Sequence, residues 1–210
     1  MRRVVLSGSL AAAAVIVTVG ASSAAAAPKG FVCTGTLASG SYKKITVPAG
    51  ATCDGTNATI TVRGGVRVRP GATFILGSEG NTGGGKISGG VRANDPASVQ
   101  LHFAHVEGAV RIVGGNGFFS TVEDNVINGG ARIVGYSGVW LGFIRNTIHG
   151  STNLSNNTLS DPDANEFVTN TIRGNLFCHN NVPAPHVGDS GGSPNNVSGR
   201  KVGQCAAPGL

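Results

Sequence analysis

Four arginines, Arg67, Arg92, Arg111 and Arg132, each stand between two apolar residues, in Val66-Arg67-Val68, Val91-Arg92-Ala93, Val110-Arg111-Ile112 and Ala131-Arg132-Ile133. Alternation of that kind belongs to a half-buried strand, with the arginine on the outer side. A guanidinium is a planar, charged fork that grips carboxylate or phosphate through two parallel hydrogen bonds. If the four strands lie side by side, about 4.8 Å apart, their charges form a row roughly 14 Å long. Like charges facing one another across strands are unfavourable without anionic company. Two readings stay open. Either the row is a track for a linear polyanion, such as an acidic wall or extracellular polysaccharide, or the side chains fan into solvent and pair with Glu107, Glu123 or Asp124, which contributes little.

Other chemistry is thinly supplied. β-Elimination on a uronate chain needs a base beside the sugar carbon and a cation or arginine to neutralise the carboxylate. Glu123 and Asp124, with Arg111 or Arg132, are the candidate parts. The middle of the chain offers only Glu107, Glu123 and Asp124 as acids, without a recurring spacing, and hydrolysis by paired carboxylates would draw on the same residues. A polysaccharide lyase is therefore the second reading, and it rests mainly on analogy of fold. No serine lies in a nucleophile elbow. His102, His105, His149, His179 and His186 are scattered, and His102 and His105 lack a third ligand at a suitable spacing, so neither a metal nor a cofactor is expected. Tyr136 and Trp140 would serve either as a sugar platform or as core. Basic and aromatic columns do not interleave, so nucleic acid is not an expected partner.

The elements that must position the arginines come from a repeat. An apolar residue, a variable one and a glycine recur as Val62-Arg63-Gly64, Ile87-Ser88-Gly89, Val106-Glu107-Gly108, Ile127-Asn128-Gly129, Ile148-His149-Gly150 and Ile172-Arg173-Gly174. Their glycines are 25, 19, 21, 21 and 24 residues apart, which suits a coil of three short strands joined by loops of variable length. Two residues beyond each glycine stand Val66, Val91, Val110, Ala131, Thr152 and Leu176. Four beyond stand Val68, Ala93, Ile112, Ile133, Leu154 and Cys178, so both columns point inward. The outward residue between them is one of the four arginines, then Asn153 and Phe177. Phe74-Ile75-Leu76, Val99-Gln100-Leu101, Val139-Trp140-Leu141 and Phe167-Val168 fit a third strand in most coils. One coil cannot bury its own inner side chains, whereas stacked coils bury them on each other and pair their backbones. The expected fold is an all-β, single-stranded parallel β-helix. Asn125, Asn146 and Asn170 recur at one corner, where asparagine ladders form and left-handed geometry is tolerated.

Composition agrees. Of 210 residues, 34 are glycine, 12% are charged and 5% are aromatic, as in a turn-rich β-protein whose corners use positive φ. Residues 1–26, with Arg2 and Arg3 before an apolar run and an alanine-rich stretch, read as a signal peptide cleaved near Ala26, so no membrane span is expected afterwards. Net charge is +6, and removing Arg2 and Arg3 leaves 14 basic residues against 10 acidic ones, a mild bias towards acidic partners. Cys33 and Cys53 lie near one end, Cys178 and Cys205 near the other. In an exported chain the economical pairing is Cys33–Cys53 and Cys178–Cys205, although three pairings are formally open. Domain boundaries follow as an N-terminal cap over 27–58, coils over 59–178 and a C-terminal cap over 179–210, in a chain expected to be monomeric.

Cys33-Thr34-Gly35-Thr36-Leu37, Val47-Pro48-Ala49-Gly50-Ala51-Thr52-Cys53, Pro70-Gly71-Ala72, Gly174-Asn175-Leu176-Phe177-Cys178 and Val202-Gly203-Gln204-Cys205 together resemble the small secreted right-handed parallel β-helix proteins of actinobacteria. The resemblance covers the mature chain and implies an exported right-handed β-helix with disulfide-tied ends, without implying an activity. The leading functional expectation is a non-enzymatic, secreted or wall-associated scaffold holding an acidic polymer through Arg67, Arg92, Arg111 and Arg132. A polysaccharide lyase and a purely structural surface protein are the alternatives.

Overall fold

A computed structural model describes residues 30–80 and 82–210. The signal peptide expected over 1–26 and the first residues of the N-terminal cap lie outside the described residues. The rest is a parallel β-solenoid of about eight turns built from three parallel sheets of nine, six and eight strands. The first sheet carries the strands Lys44–Val47, Val66–Val68, Val91–Asn94, Val110–Val113, Ala131–Val134, Thr152–Ser155 and Leu176–Cys178, with Gly30–Val32 and Lys201–Gly203 at its edges. The second runs from Thr52–Gly55 through Thr73–Leu76, Ser98–His102, Phe119–Glu123 and Trp140–Ile144 to Glu166–Val168. The third contains the short strands that end on the repeat, among them Thr59–Val62 and Val126–Ile127. Strands also come from both segments expected as caps.

The inward columns pack as their alternation requires. Val62, Ile87, Val106, Ile127, Ile148 and Ile172 are fully buried on the third sheet, and the two first-sheet columns that flank the arginines are buried as well. Each fully buried Val, Leu or Ile contributes roughly 1.5–3 kcal/mol of transfer free energy. Equivalent residues stacked in register therefore make one continuous core, which neither sheet nor coil could form alone. Disulfides join Cys33 to Cys53 and Cys178 to Cys205 near the two ends.

Three corners differ in their physics. The repeat glycine, at the corner between the third and first sheets, is needed for close approach and not for positive φ. A β carbon on Gly89 would lie 2.7 Å from the carbonyl carbon of Gly64, and one on Gly108 would lie 2.8 Å from that of Gly89, so backbone stacks directly on backbone there. At the corner after the second sheet, Asn125 donates from Nδ2 to Oδ1 of Asn146 at 3.0 Å, Asn146 to Asn170 at 3.0 Å, and Asn170 to Asn195 at 2.8 Å. Each Nδ2 also reaches a carbonyl of the preceding coil, and each Oδ1 accepts a backbone N–H, so the buried amides are satisfied. The expected asparagine ladder is present, but left-handed geometry falls one residue earlier, on Phe103, Asp124, Arg145 and Thr169. At the third corner a second ladder, Asn157, Asn181 and Gln204, was not foreseen.

Candidate functional site

Arg67, Arg92, Arg111 and Arg132 are direct register partners on the first sheet, with Thr46 beside Arg67 at one end and Asn153 beside Arg132 at the other. All four are exposed. Among the described residues none of them belongs to an ion pair within 4.0 Å. The acids that the sequence suggested as their partners are engaged elsewhere: Glu107 pairs with Lys86 at 2.9 Å, and Arg145 holds both Glu123 and Asp124. A shallow groove of about 530 Å³ runs along this face, edged by Lys44, Arg67, Arg69, Arg92 and Arg111. Its floor includes Gly65, Gly90 and Ala109, the small residues that follow the repeat glycine. Small corner residues thus leave a trough and long basic side chains wall it.

The outer face of the second sheet is different. There, Gln100, Thr121, Gly142 and Glu166 form one outward column, and His102, Glu123, Ile144 and Val168 form the next. A small apolar cluster of Ile144, Val168 and Leu210, with Trp140 and Val187 against it, covers part of this face. On the same face Glu123 and His102 are buried, at 3% and 2% exposure. Arg145 binds Asp124 through Nε at 2.9 Å and Nη2 at 3.0 Å, and the same Nη2 donates to Glu123. Burial pushes the Glu123 carboxyl up, against the pull of Arg145, and burial pushes the His102 imidazole down. Trp140 stacks on Phe119 with centroids 4.8 Å apart, and its indole N–H donates to the carbonyl of Asp163 at 3.2 Å. A smaller groove of about 250 Å³ joins Glu79, Glu123, Trp140, Arg145, Glu166 and Asp189.

Several sequence-derived candidates are redistributed by this geometry. Glu123 ends a strand of the second sheet and Asp124 follows it, whereas Arg111 and Arg132 stand on the first sheet, so the four do not converge. Arg145, which the sequence did not single out, is the arginine beside those acids. His102 lies 3.7 Å from Glu123 while His105, around the corner on the third sheet, lies 3.5 Å from Glu107. Tyr136 is fully buried, its hydroxyl placed to donate to the carbonyl of Gly117 at 3.1 Å or of Ala97 at 3.3 Å, so it is core. Trp140 is only partly buried and lines the acidic groove. Also missed was the gathering of Asp163, Glu166 and Asp189, whose carboxylate oxygens lie within 4.8 Å of one another. The sequence signal for it is poor, because Asp163 and Asp189 lie in loops outside the repeat. No family model matches this chain, and neither a curated protein nor a solved structure does.

Proposed function

We propose that this protein is an exported, non-enzymatic solenoid that holds a linear acidic polymer, a wall or extracellular polysaccharide, along Arg67, Arg92, Arg111 and Arg132. The observation that carries the reading is the in-register row of four exposed guanidinium groups with no carboxylate partner among the described residues. A fold that stacks like charges at strand spacing stores repulsion, and a polyanion relieves it at every rung. Lys44 and Arg69 along the same groove add to the attraction. A regular polymer suits a regular row, since each carboxylate meets an equivalent fork.

The test is binding of the purified mature protein to polyuronates and wall preparations at low and high salt. A variant with all four arginines changed to serine is measured beside it. At roughly 0.7 kcal/mol per exposed contact, the variant loses about 100-fold in affinity. The wild-type affinity falls steeply with salt. Equal binding by both proteins would remove the row from the function. Binding by neither would leave a purely structural surface protein as the better reading.

A further inference from the structure

We infer that Asp163, Glu166 and Asp189 form a binding site for a hard divalent cation, calcium above all, on the outer side of the second sheet. The site is separate from the arginine row, which lies on the first sheet. Three stretches of chain supply it: the loop before the strand Glu166–Val168, the first residue of that strand, and the C-terminal segment that passes beside it. That segment is aligned on the strand by a bridge between His186 and Glu166 and by the His186 N–H, which donates to the carbonyl of Asn165 at 3.3 Å.

Glu166 supplies the independent sign of a ligand. Its side chain is fully buried, yet neither carboxylate oxygen accepts a hydrogen bond. Burying an unpaired carboxylate is costly, and proteins meet that cost with a partner, a metal or a proton. The chain above it is shaped to the carboxyl group: a β carbon on Gly188 would lie 2.4 Å from both Cδ and Oε1 of Glu166. No lysine or arginine forms an ion pair with any of the three acids among the described residues. Arg145, which shares the groove, is spent on Glu123 and Asp124. Among the described residues, the one basic side chain within 4.0 Å of the cluster's carboxylates is the His186 imidazole, 3.6 Å from Asp163. Burial raises the Glu166 carboxyl; the nearby Ser190 hydroxyl, which donates to the carbonyl of Val187 at 2.9 Å, pulls it down, and the charges of Asp163 and Asp189 raise it further, the environment a cation reverses.

The donor set selects the ion. Three carboxylates and no thiolate favour a hard cation over zinc or copper. Loop-borne ligands of irregular geometry suit calcium better than magnesium, which demands a near-ideal octahedron. Bound there, the ion ties the C-terminal segment to the outer face of the sheet.

The mature protein, dialysed against chelator, is titrated with calcium, magnesium or zinc at about pH 7.5, and melting and binding heat are followed. Calcium binds with one saturable site and raises Tm by about 6 °C at a hundredfold excess over Kd. Magnesium acts weakly. Asp189→Asn, a change at an exposed residue, abolishes most of the calcium shift, and Glu166→Gln abolishes it while raising Tm of the metal-free protein. Should Glu166→Gln fail to fold, Asp189→Asn alone decides. Neither a shift nor binding heat at roughly 10 mM calcium would overturn the inference. So would an undiminished calcium shift in Asp189→Asn, because the ion would then sit elsewhere.

Discussion

The first and second sheets are stacked from the same coils, yet they treat charge in opposite ways. On the first sheet, Arg67, Arg92, Arg111 and Arg132 stand exposed in a row, without an ion-pair partner among the described residues. On the second, Glu123, His102 and Glu166 are buried, Glu166 against Gly188, nearly out of reach of water. The repeat stacks outward residues in columns on both faces, a column of charge on the first and isolated acids among neutral residues on the second. What differs is cover. An uncovered charge interacts weakly with everything through water, whereas a covered one must find a partner, gather a counterion or take a proton. The exposed row therefore suits a large partner that arrives from outside, and the covered groove suits a small ion.

That contrast is sharpest for single arginines. Arg145→Ala strands the buried Glu123, and the expected loss is about 2 kcal/mol, below that of a fully buried pair because Arg145 is 40% exposed. Urea unfolding measures it, and a loss under about 0.5 kcal/mol would mean that the covered face tolerates charge as the open one does. A smaller effect is the pH dependence. Glu123 and Glu166 have carboxyls raised above 4.5, so in the window above that value the folded protein holds protons that the unfolded chain has released. Their contribution to stability is thus present at low pH and lost as pH rises through the raised values. His102, lowered from 6.5, works the other way: it makes stability rise with pH up to that value. The clean measurement, without calcium, is the difference between wild type and Glu166→Gln, whose stability should fall less as pH rises above 4.5. Identical slopes would show that Glu166 does not titrate there. The smallest effect belongs to the open face: Arg111→Ser should move unfolding by no more than about 0.5 kcal/mol, and in the stabilising direction, since it relieves repulsion from Arg92 and Arg132. A larger loss would mean that the row is structural.

Much of the fold was legible because it repeats. The columns at Val66, Val68 and Val62 extend through later coils with the same burial, and the Asn125–Asn146–Asn170 ladder follows from the same spacing. Where alternation is blurred, legibility fails. The strand Phe119–Glu123 was not read as a strand because polar Ser120 points inward beside Val122, with Thr121 outward, so no apolar period marks it. The second ladder, Asn157 to Asn181 to Gln204, escaped because it ends on glutamine. The repeat glycines were recognised but for a different reason: their spacing shows the corner, and only the folded chain shows that backbone packs against backbone there.

By itself the sequence determined the period, the inward columns, the end-to-end pattern of cysteines and the placement of four arginines on one outer column. These are local or periodic properties, readable from alternation and spacing. The tertiary structure decided which acids meet which bases. Glu123 and Asp124 went to Arg145 instead of Arg111 or Arg132, and Asp163, Glu166 and Asp189 met with no lysine or arginine paired to them among the described residues. Such meetings depend on how irregular loops lie over a sheet, and loops outside the repeat carry no periodic signal from which that could be read.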